Sequence, residues 1–271
     1  MKMYRFTPKY GELAIGQTSD NQQVHRLSVV IVTRDEERNI RECLESVRWA
    51  DDIVVVDDFS TDTTLDICRE YGARIFQESW KGFAGQRNSA VEKAHHMWVL
   101  NVDADERITP ELRDEIRDVL SSKEPKAGYG IPYKNYFRGK WIRFGGWYPD
   151  YHIRLFRKDR GRYMDREIHE TVELDGELGR LKNPLIHIAY RDISSFVRKM
   201  DSYSTLMARQ YAKEGKRGGP GTGLIHAIYT FLSMFFLRGG FLDGVNGLIL
   251  AYMYSTYTFL KYAKLMDLRQ N

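Results

Sequence analysis

The sequence predicts an α/β fold, a mostly parallel sheet flanked by helices and followed by a C-terminal helical appendage. Three observations predict it. Short apolar runs suited to buried strands recur at residues 27–32, 53–56 and 73–77, and again from Trp98. Each is followed, after a short loop, by a stretch of helical periodicity. Such alternation builds a parallel sheet covered on both faces. From Ile193 onward the pattern is helical to the end.

The elements follow in order. Residues 1–26 are polar and irregular, with a short strand expected near residues 4–6 and no apolar core of a signal peptide. Residues 27–32 (Leu-Ser-Val-Val-Ile-Val) read as a strand buried on both faces. Asn39 is the expected N-cap of a helix to Ala50, with Ile40, Cys43, Leu44 and Val47 on one face. The second strand, 53–56, ends at Asp57-Asp58. Ser60 or Thr61 is expected to cap the next helix, and Gly72 stands where a C′ glycine belongs. After the third strand, loop 79–85 leads into a short helix carrying Ala90, Val91 and Ala94. Thr109-Pro110-Glu111 supplies an N-cap, a first-turn proline and a first-turn acid for a helix to about Ser121.

The pattern changes after Lys126. Strands are expected at 129–137, 141–144, 153–157, within 163–174, and at 185–189, with a turn at Asp175-Gly176. A helix over 194–213, a glycine-rich hinge over 215–223, and helical segments 224–237 and 241–268 complete the chain. This divides the sequence into an extension (1–26), a catalytic domain (27–190, with halves 27–122 and 123–190) and a helical region (191–271).

Composition bounds the function. With 42% hydrophobic and 29% charged residues, the chain is ordinary globular material. A net charge of +4 over 271 residues does not by itself call for a nucleic-acid partner. Cys43 and Cys68 both occupy apolar helix positions, which suggests buried thiols and a reducing, cytoplasmic compartment.

The chemistry concentrates at strand ends. Asp103 and Asp105 follow the fourth strand one residue apart, where alternation can bring both to one side. Open α/β sheets bind ligands at the C-terminal ends of their strands. Two neighbouring carboxylates repel unless a cation lies between them, and Mg²⁺ or Mn²⁺ with a diphosphate meets that need. Asp57 and Asp58 follow the second strand at the same sheet edge. Lys81 and Arg87 bracket a helix start that can hold a phosphate. Neither a Walker loop nor a dinucleotide fingerprint is present. Each feature also has a plainer reading: a solvated acidic turn, a turn cap at Asp57, an exposed basic helix start.

Together the residues of 27–33, Val54-Val55-Val56-Asp57-Asp58-Phe59-Ser60-Thr61-Asp62, Gln86-Arg87-Asn88-Ser89-Ala90 and Val102-Asp103-Ala104-Asp105-Glu106 resemble the family 2 inverting glycosyltransferases of GT-A (Rossmann-like) fold. The likeness is strongest to the lipopolysaccharide and lipooligosaccharide core β-1,4-glucosyltransferases. It covers about residues 27–190 and extends to Gly239-Gly240-Phe241-Leu242-Asp243-Gly244. The resemblance implies a UDP-sugar donor, with UDP-glucose expected. It puts Thr33 and Glu36 at the nucleotide, Asp58 at uracil, Arg87 by the base and diphosphate, Asp103 by the ribose and metal, and Asp105 on the metal. The implied cofactor is Mg²⁺ or Mn²⁺.

Inverting transfer also needs a carboxylate to deprotonate the acceptor hydroxyl. The family's usual Glu-Asp base pair and its Gln-x-x-Arg-Trp segment are absent. The base is therefore sought after Lys126, with Glu170 first and Asp150 second. Glu170 has the plainer role of pairing with Arg166. His187 is a candidate metal or phosphate ligand, or a satisfied core histidine.

Residues 138–166 are strongly basic and interleaved with Trp141, Trp147, Tyr148 and Tyr151. That mixture suits a phosphorylated, lipid-linked glycan acceptor better than nucleic acid, which seldom needs such a carboxylate site. The apolar segment 225–237 is short for a membrane span. Flanked by Lys213, Lys216, Arg217 and Arg238, it suits the surface of an anionic membrane, so the chain is expected to be peripheral on the cytoplasmic face of the inner membrane. A helical hairpin packed on the enzyme, or in a homo-oligomer, is the alternative. Two other functions compete: a haloacid-dehalogenase-like phosphohydrolase using Asp103 and Asp105, and a non-enzymatic membrane-surface module.

Overall fold

The computed structural model describes residues 25–164 and 171–270. The order is β1 (Leu27–Thr33), α1 (Ile40–Val47), β2 (Asp52–Asp57), α2 (Thr64–Glu70), β3 (Arg74–Gln77), α3 (Phe83–Lys93), β4 (Trp98–Asn101), β5 (Glu106–Arg107) and α4 (Pro110–Leu120). Then come β6 (Gly128–Phe137), β7 (Lys140–Trp141), β8 (Tyr151–Arg157), β9 (Gly161–Tyr163), β10 (Val172–Leu174), β11 (Leu178–Arg180) and β12 (Leu185–Tyr190). Three long helices finish the chain: α5 (Ile193–Lys213), α6 (Pro220–Leu232) and α7 (Val245–Gln270).

The main sheet runs β3-β2-β1-β4-β8-β6-β12-β5. Its first four strands are parallel, as the alternating pattern predicts. β8 then lies antiparallel between β4 and β6, so the sheet is mixed. Parallel register brings Thr33 opposite Asp57 and Val30 opposite Asn101. The C-terminal ends of β1, β2 and β4 therefore share one edge.

Burial explains the apolar runs. Val29, Val30 and Ile31 are fully buried, because one face packs on α1 and α4 and the other on α3. A fully buried Val or Ile side chain contributes about 1.5–3 kcal/mol, so the runs hold the sheet between its helices. A further cluster of Phe137, Ile142, Trp147, Phe196, Leu250 and Met253 ties α5 and α7 to the catalytic domain. Both cysteines are buried free thiols.

Several local expectations are corrected. Asn39 precedes α1 without a side-chain cap, because its amide donates to Glu36 Oε2 at 2.6 Å. Ser60 is taken by Asp57, so α2 starts only after Thr63. Thr109 does cap α4, its hydroxyl accepting from Leu112 N at 3.1 Å. The expected strand at 141–144 shrinks to β7, and β11 is a short strand the sequence did not announce. α6 starts inside the glycine-rich segment, at Pro220, which suits a first helical turn. The strand expected near residues 4–6 lies outside the described residues.

Candidate active site

Two clefts open on the sheet edge. The first, about 480 Å³, is lined by Thr33, Arg34, Glu36, Asp58, Trp80, Phe83 and Arg87. The second, about 680 Å³, is lined by Tyr133, Asp150, His152, Arg154, Thr171, His187, Met234, Arg238 and Tyr254. Asp103, Asp105, Arg87 and Lys199 line both. The Asp-x-Asp turn is thus the wall between the two clefts, the first lying where the sequence leads one to expect the donor and the second the acceptor.

β4 ends at Asn101, and the turn that follows carries both aspartates. Glu106 closes it: Asp103 N donates to Glu106 Oε2 at 2.8 Å, and Glu106 N donates to Asp103 O at 2.9 Å. Two arginines grip Asp103. Arg87 Nη2 donates to Oδ1 and Oδ2 at 3.0 and 2.9 Å, and Arg154 Nη2 donates to Oδ2 at 2.8 Å. Burial pushes the Asp103 carboxyl up, but Arg154 and Arg87 outweigh it and hold the group well below the usual carboxylate range. Arg154 also donates to Glu106 Oε1 and to the Tyr133 hydroxyl, which in turn donates to Glu106 Oε1 at 2.5 Å. Burial raises Glu106 above the ordinary value, with nearby Asp103 adding to it.

Asp105 faces His187. His187 Nε2 lies 3.5 Å from Asp105 Oδ2. The other ring nitrogen, Nδ1, lies 2.7 Å from Asn135 Oδ1, and the Asn135 amide donates to Trp147 O at 3.2 Å. That second contact orients the amide, so Nδ1 carries the proton and donates to Oδ1. Burial disfavours the charged imidazole, but Asp105 beside it raises its pKa. Among the described residues no three His, Cys, Asp or Glu side chains converge as a complete cage. Asp105 and His187 nonetheless form a fitting half-set for a first-row divalent cation, since a ligating histidine usually has its second nitrogen held in this way.

The donor-side residues divide. Thr33 is buried and, among the described residues, its hydroxyl oxygen has no hydrogen-bond partner. A buried hydroxyl without a partner costs stability. Asp58 accepts from Arg34 at 2.6 Å and from Trp80 N at 3.1 Å. Glu36 lines the same cleft, with burial raising its pKa. Two expected residues do not line it. Asp57 is turned inward, accepting from Ser60 N and Oγ and from Gln77. Lys81 pairs with Glu78 at 2.8 Å. Short-range partners captured both side chains.

On the acceptor side Asp150 lines the cleft, 2.9 Å from His152 Nε2. Glu170 lies outside the described residues. The motif residue Asn88 serves the fold instead. It brackets the Tyr163 backbone, donating to its carbonyl and accepting from its amide, both at 2.9 Å.

Sequence reasoning missed Arg154, Tyr133, Trp80, Lys199 and Tyr203. Trp80 and Phe83 meet edge to face at 4.8 Å, exposed at the donor cleft. Lys199 and Tyr203 reach it from α5, a helix assigned to the appendage. Burial lowers the Lys199 pKa, but Tyr203, Tyr190, Asp105 and Asp103 outweigh it and leave the ammonium more firmly charged than usual. Asp103, the nucleophile of the phosphohydrolase alternative, is ion-paired with Arg87 and Arg154.

Comparison with known proteins agrees with the architecture. The model of glycosyl transferase family 2 matches residues 28–172. The chain is 31% identical over 255 residues to the lipopolysaccharide core biosynthesis glycosyltransferase LpsC of Rhizobium meliloti, covering 88% of this chain and 91% of that one. It is 30% identical to the uncharacterized glycosyltransferase RT0209 of Rickettsia typhi, covering 90% and 87%. Among solved structures it is similar in fold to the mannosyltransferase PcManGT of Pyrobaculum calidifontis in complex with GDP-Man and Mn²⁺ (TM-score 0.54, 15% identity, 89% and 87% covered). With its parallel N-terminal strands, its Asp-x-Asp turn and the family match over residues 28–172, more than half its length, the chain belongs to glycosyl transferase family 2.

Proposed function

We propose that this chain is a metal-dependent inverting hexosyltransferase that moves glucose from UDP-glucose onto a phosphorylated, lipid-linked core glycan. The observation that carries the reading is the meeting of two clefts at Asp103 and Asp105. LpsC, by its name, acts in lipopolysaccharide core biosynthesis, and that supports the acceptor class. The enzyme works as a peripheral protein at the cytoplasmic face of the inner membrane.

The chain's residues divide the work. Thr33, Glu36 and Asp58 bind the nucleoside, with Trp80 and Phe83 as an aromatic wall. Arg87 and Arg154 hold Asp103 fixed at the cleft junction. Asp105 and His187 would hold Mg²⁺ or Mn²⁺, which would supply positive charge to a leaving diphosphate. Lys199 adds a cation from the other wall. Asp150 takes the proton from the acceptor hydroxyl as that oxygen attacks the anomeric carbon and the bond to the diphosphate breaks.

Transfer of labelled glucose to a phosphorylated core acceptor tests the reading. Activity with UDP-glucose that is abolished in Asp105→Ala, with unfolding unchanged, supports it. Full activity in that variant, or glucose release without transfer under every acceptor condition, overturns it.

A further inference from the structure

The C-terminal helical hairpin is sorted inside out. The buried positions of α6 are Gly223 and Ala227, Ser233 just after it is buried, and α7 buries Ala251 and Thr258 among others. Ser255 Oγ donates to Ala227 O at 2.8 Å, and the Thr230 and Thr258 hydroxyls meet at 3.4 Å. Leu250, Met253 and Leu265 of α7 are buried, but many of the hairpin's large apolar residues face outward. Ile225 is 71% exposed, Leu237 77% and Val245 71%, with Ile228, Leu232 and Phe241 also exposed. Residues 225, 228, 232 and 236 follow helical spacing and form one stripe. In water this arrangement discards the hydrophobic stabilisation that the opposite sorting would gain. Small residues inside and large apolar ones outside is how helices pack in lipid.

Charge follows the same logic. Between Pro220 and Leu260 the only Asp, Glu, Lys or Arg residues are Arg238 and Asp243, both at the hairpin turn. Both contact the rest of the chain. The Asp243 carboxylate accepts from the backbone amides of Arg143 and Phe144. Arg238 packs against Gly146 and lines the acceptor cleft. Exposed Lys216 and Arg217 stand just before α6, placed for anionic headgroups.

Pro220–Leu237 has the length and apolarity of a span, with mean hydropathy 1.3 and only 22% of it buried. A crossing is nevertheless excluded for this hairpin as folded. Leu250 and Met253 of α7 pack with Phe137, Trp147 and Phe196 of the catalytic domain and α5, and would have to be torn away. This packing suits a hairpin that lies along a surface.

We infer that the outer face of the α6–α7 hairpin is a monotopic docking surface for an anionic lipid bilayer, and that its turn delivers the lipid-borne acceptor to the cleft. Met234 and Arg238 belong to the hairpin and also line the acceptor cleft, so the cleft mouth adjoins the immersed face. Arg238 is placed to meet a phosphate on a glycan whose lipid stays in the membrane. The inference rests on the lipid-linked acceptor proposed above, but its test does not need transfer.

The full-length protein is floated with vesicles of phosphatidylethanolamine and phosphatidylglycerol, and with phosphatidylcholine alone. The wild type is expected to bind the anionic vesicles, and Ile228→Glu/Leu237→Glu to lose that affinity by at least about tenfold. Both substitutions lie on exposed positions, so the melting temperature and UDP binding should be unchanged. Equal binding by the variant, or no vesicle binding by the wild type, overturns the inference. So does light scattering that shows a dimer in the wild type and a monomer in the variant, which makes the face a self-interface. Vesicle binding without any nucleotide binding leaves the docking surface standing and sinks the proposed transferase reading instead.

Discussion

Arg154 and Asp103 are joined by a 2.8 Å ion pair that crosses from β8 to the turn after β4. The same guanidinium nitrogen reaches Glu106 at 2.9 Å. One side chain from the acceptor half therefore fixes the residue that divides the two clefts. Because Arg154 and Glu106 are buried, losing one partner leaves the other charge without compensation.

Arg154→Met is accordingly expected to destabilise the fold by about 3–5 kcal/mol, as broken buried ion pairs do. Tyr133→Phe, which removes the hydroxyl between Arg154 and Glu106, should cost about 1–3 kcal/mol. Urea unfolding measures both. A cost below that of an ordinary surface substitution for Arg154→Met would show that the network does not hold the turn.

This pair also marks what a sequence does and does not reveal. The first four strands were legible because both of their faces are buried, which leaves unbroken apolar runs such as Val54-Val55-Val56. Asp103 and Asp105 were legible because a strand end fixes their position. Arg154 left one signal, an arginine inside the apolar run Ile153-Arg154-Leu155-Phe156, where a buried charge demands partners. The sequence could not name those partners, since they come from distant strands. Lys199 left no local signal at all. Asp57 and Lys81 misled for the opposite reason: residue type suited them to a ligand, but Ser60 and Glu78, each three residues away, satisfied them first.

The base is decided by a pair of isosteric variants. Asp150 lines the acceptor cleft, so Asp150→Asn should lower kcat by about 10²-fold or more while UDP binding is retained. Glu170, the first candidate from the sequence, is read by Glu170→Gln, and a base at Asp150 requires the smaller loss there. The reverse ranking would move the base to Glu170.

Lys199 stands at the junction of both clefts on α5. Lys199→Met should weaken UDP binding by about 1.5–3 kcal/mol, the usual worth of a hydrogen bond to a charged group. Calorimetric titration reads this directly, and unaltered affinity would remove Lys199 from the donor site.

Glu78 sets a pH dependence away from the chemistry. Lys81, Lys93 and Ser89 all donate to its carboxylate, which lowers its pKa from 4.5 to about 2. A folded-state pKa below the unfolded one stabilises the protein at pH values above about 4.5, and that contribution is lost as pH falls towards 2. Glu78→Gln should therefore show a shallower loss of melting temperature with acid in that window. An identical acid limb in both proteins would contradict the assignment.

The most direct test of the central claim is a thermal-shift series on the wild type and Asp105→Ala: no ligand, Mn²⁺, UDP, both together, and GDP with Mn²⁺. A ligand at 100 times its Kd adds about 2.7 kcal/mol of stability, enough to move the melting temperature of a chain this size by roughly 5 °C. With a metal-assisted UDP site at Asp105, UDP with Mn²⁺ should stabilise the wild type well beyond either alone and beyond GDP with Mn²⁺. Asp105→Ala should lose the metal-dependent part. No shift with any nucleotide, or the same shift in the variant, would contradict that site.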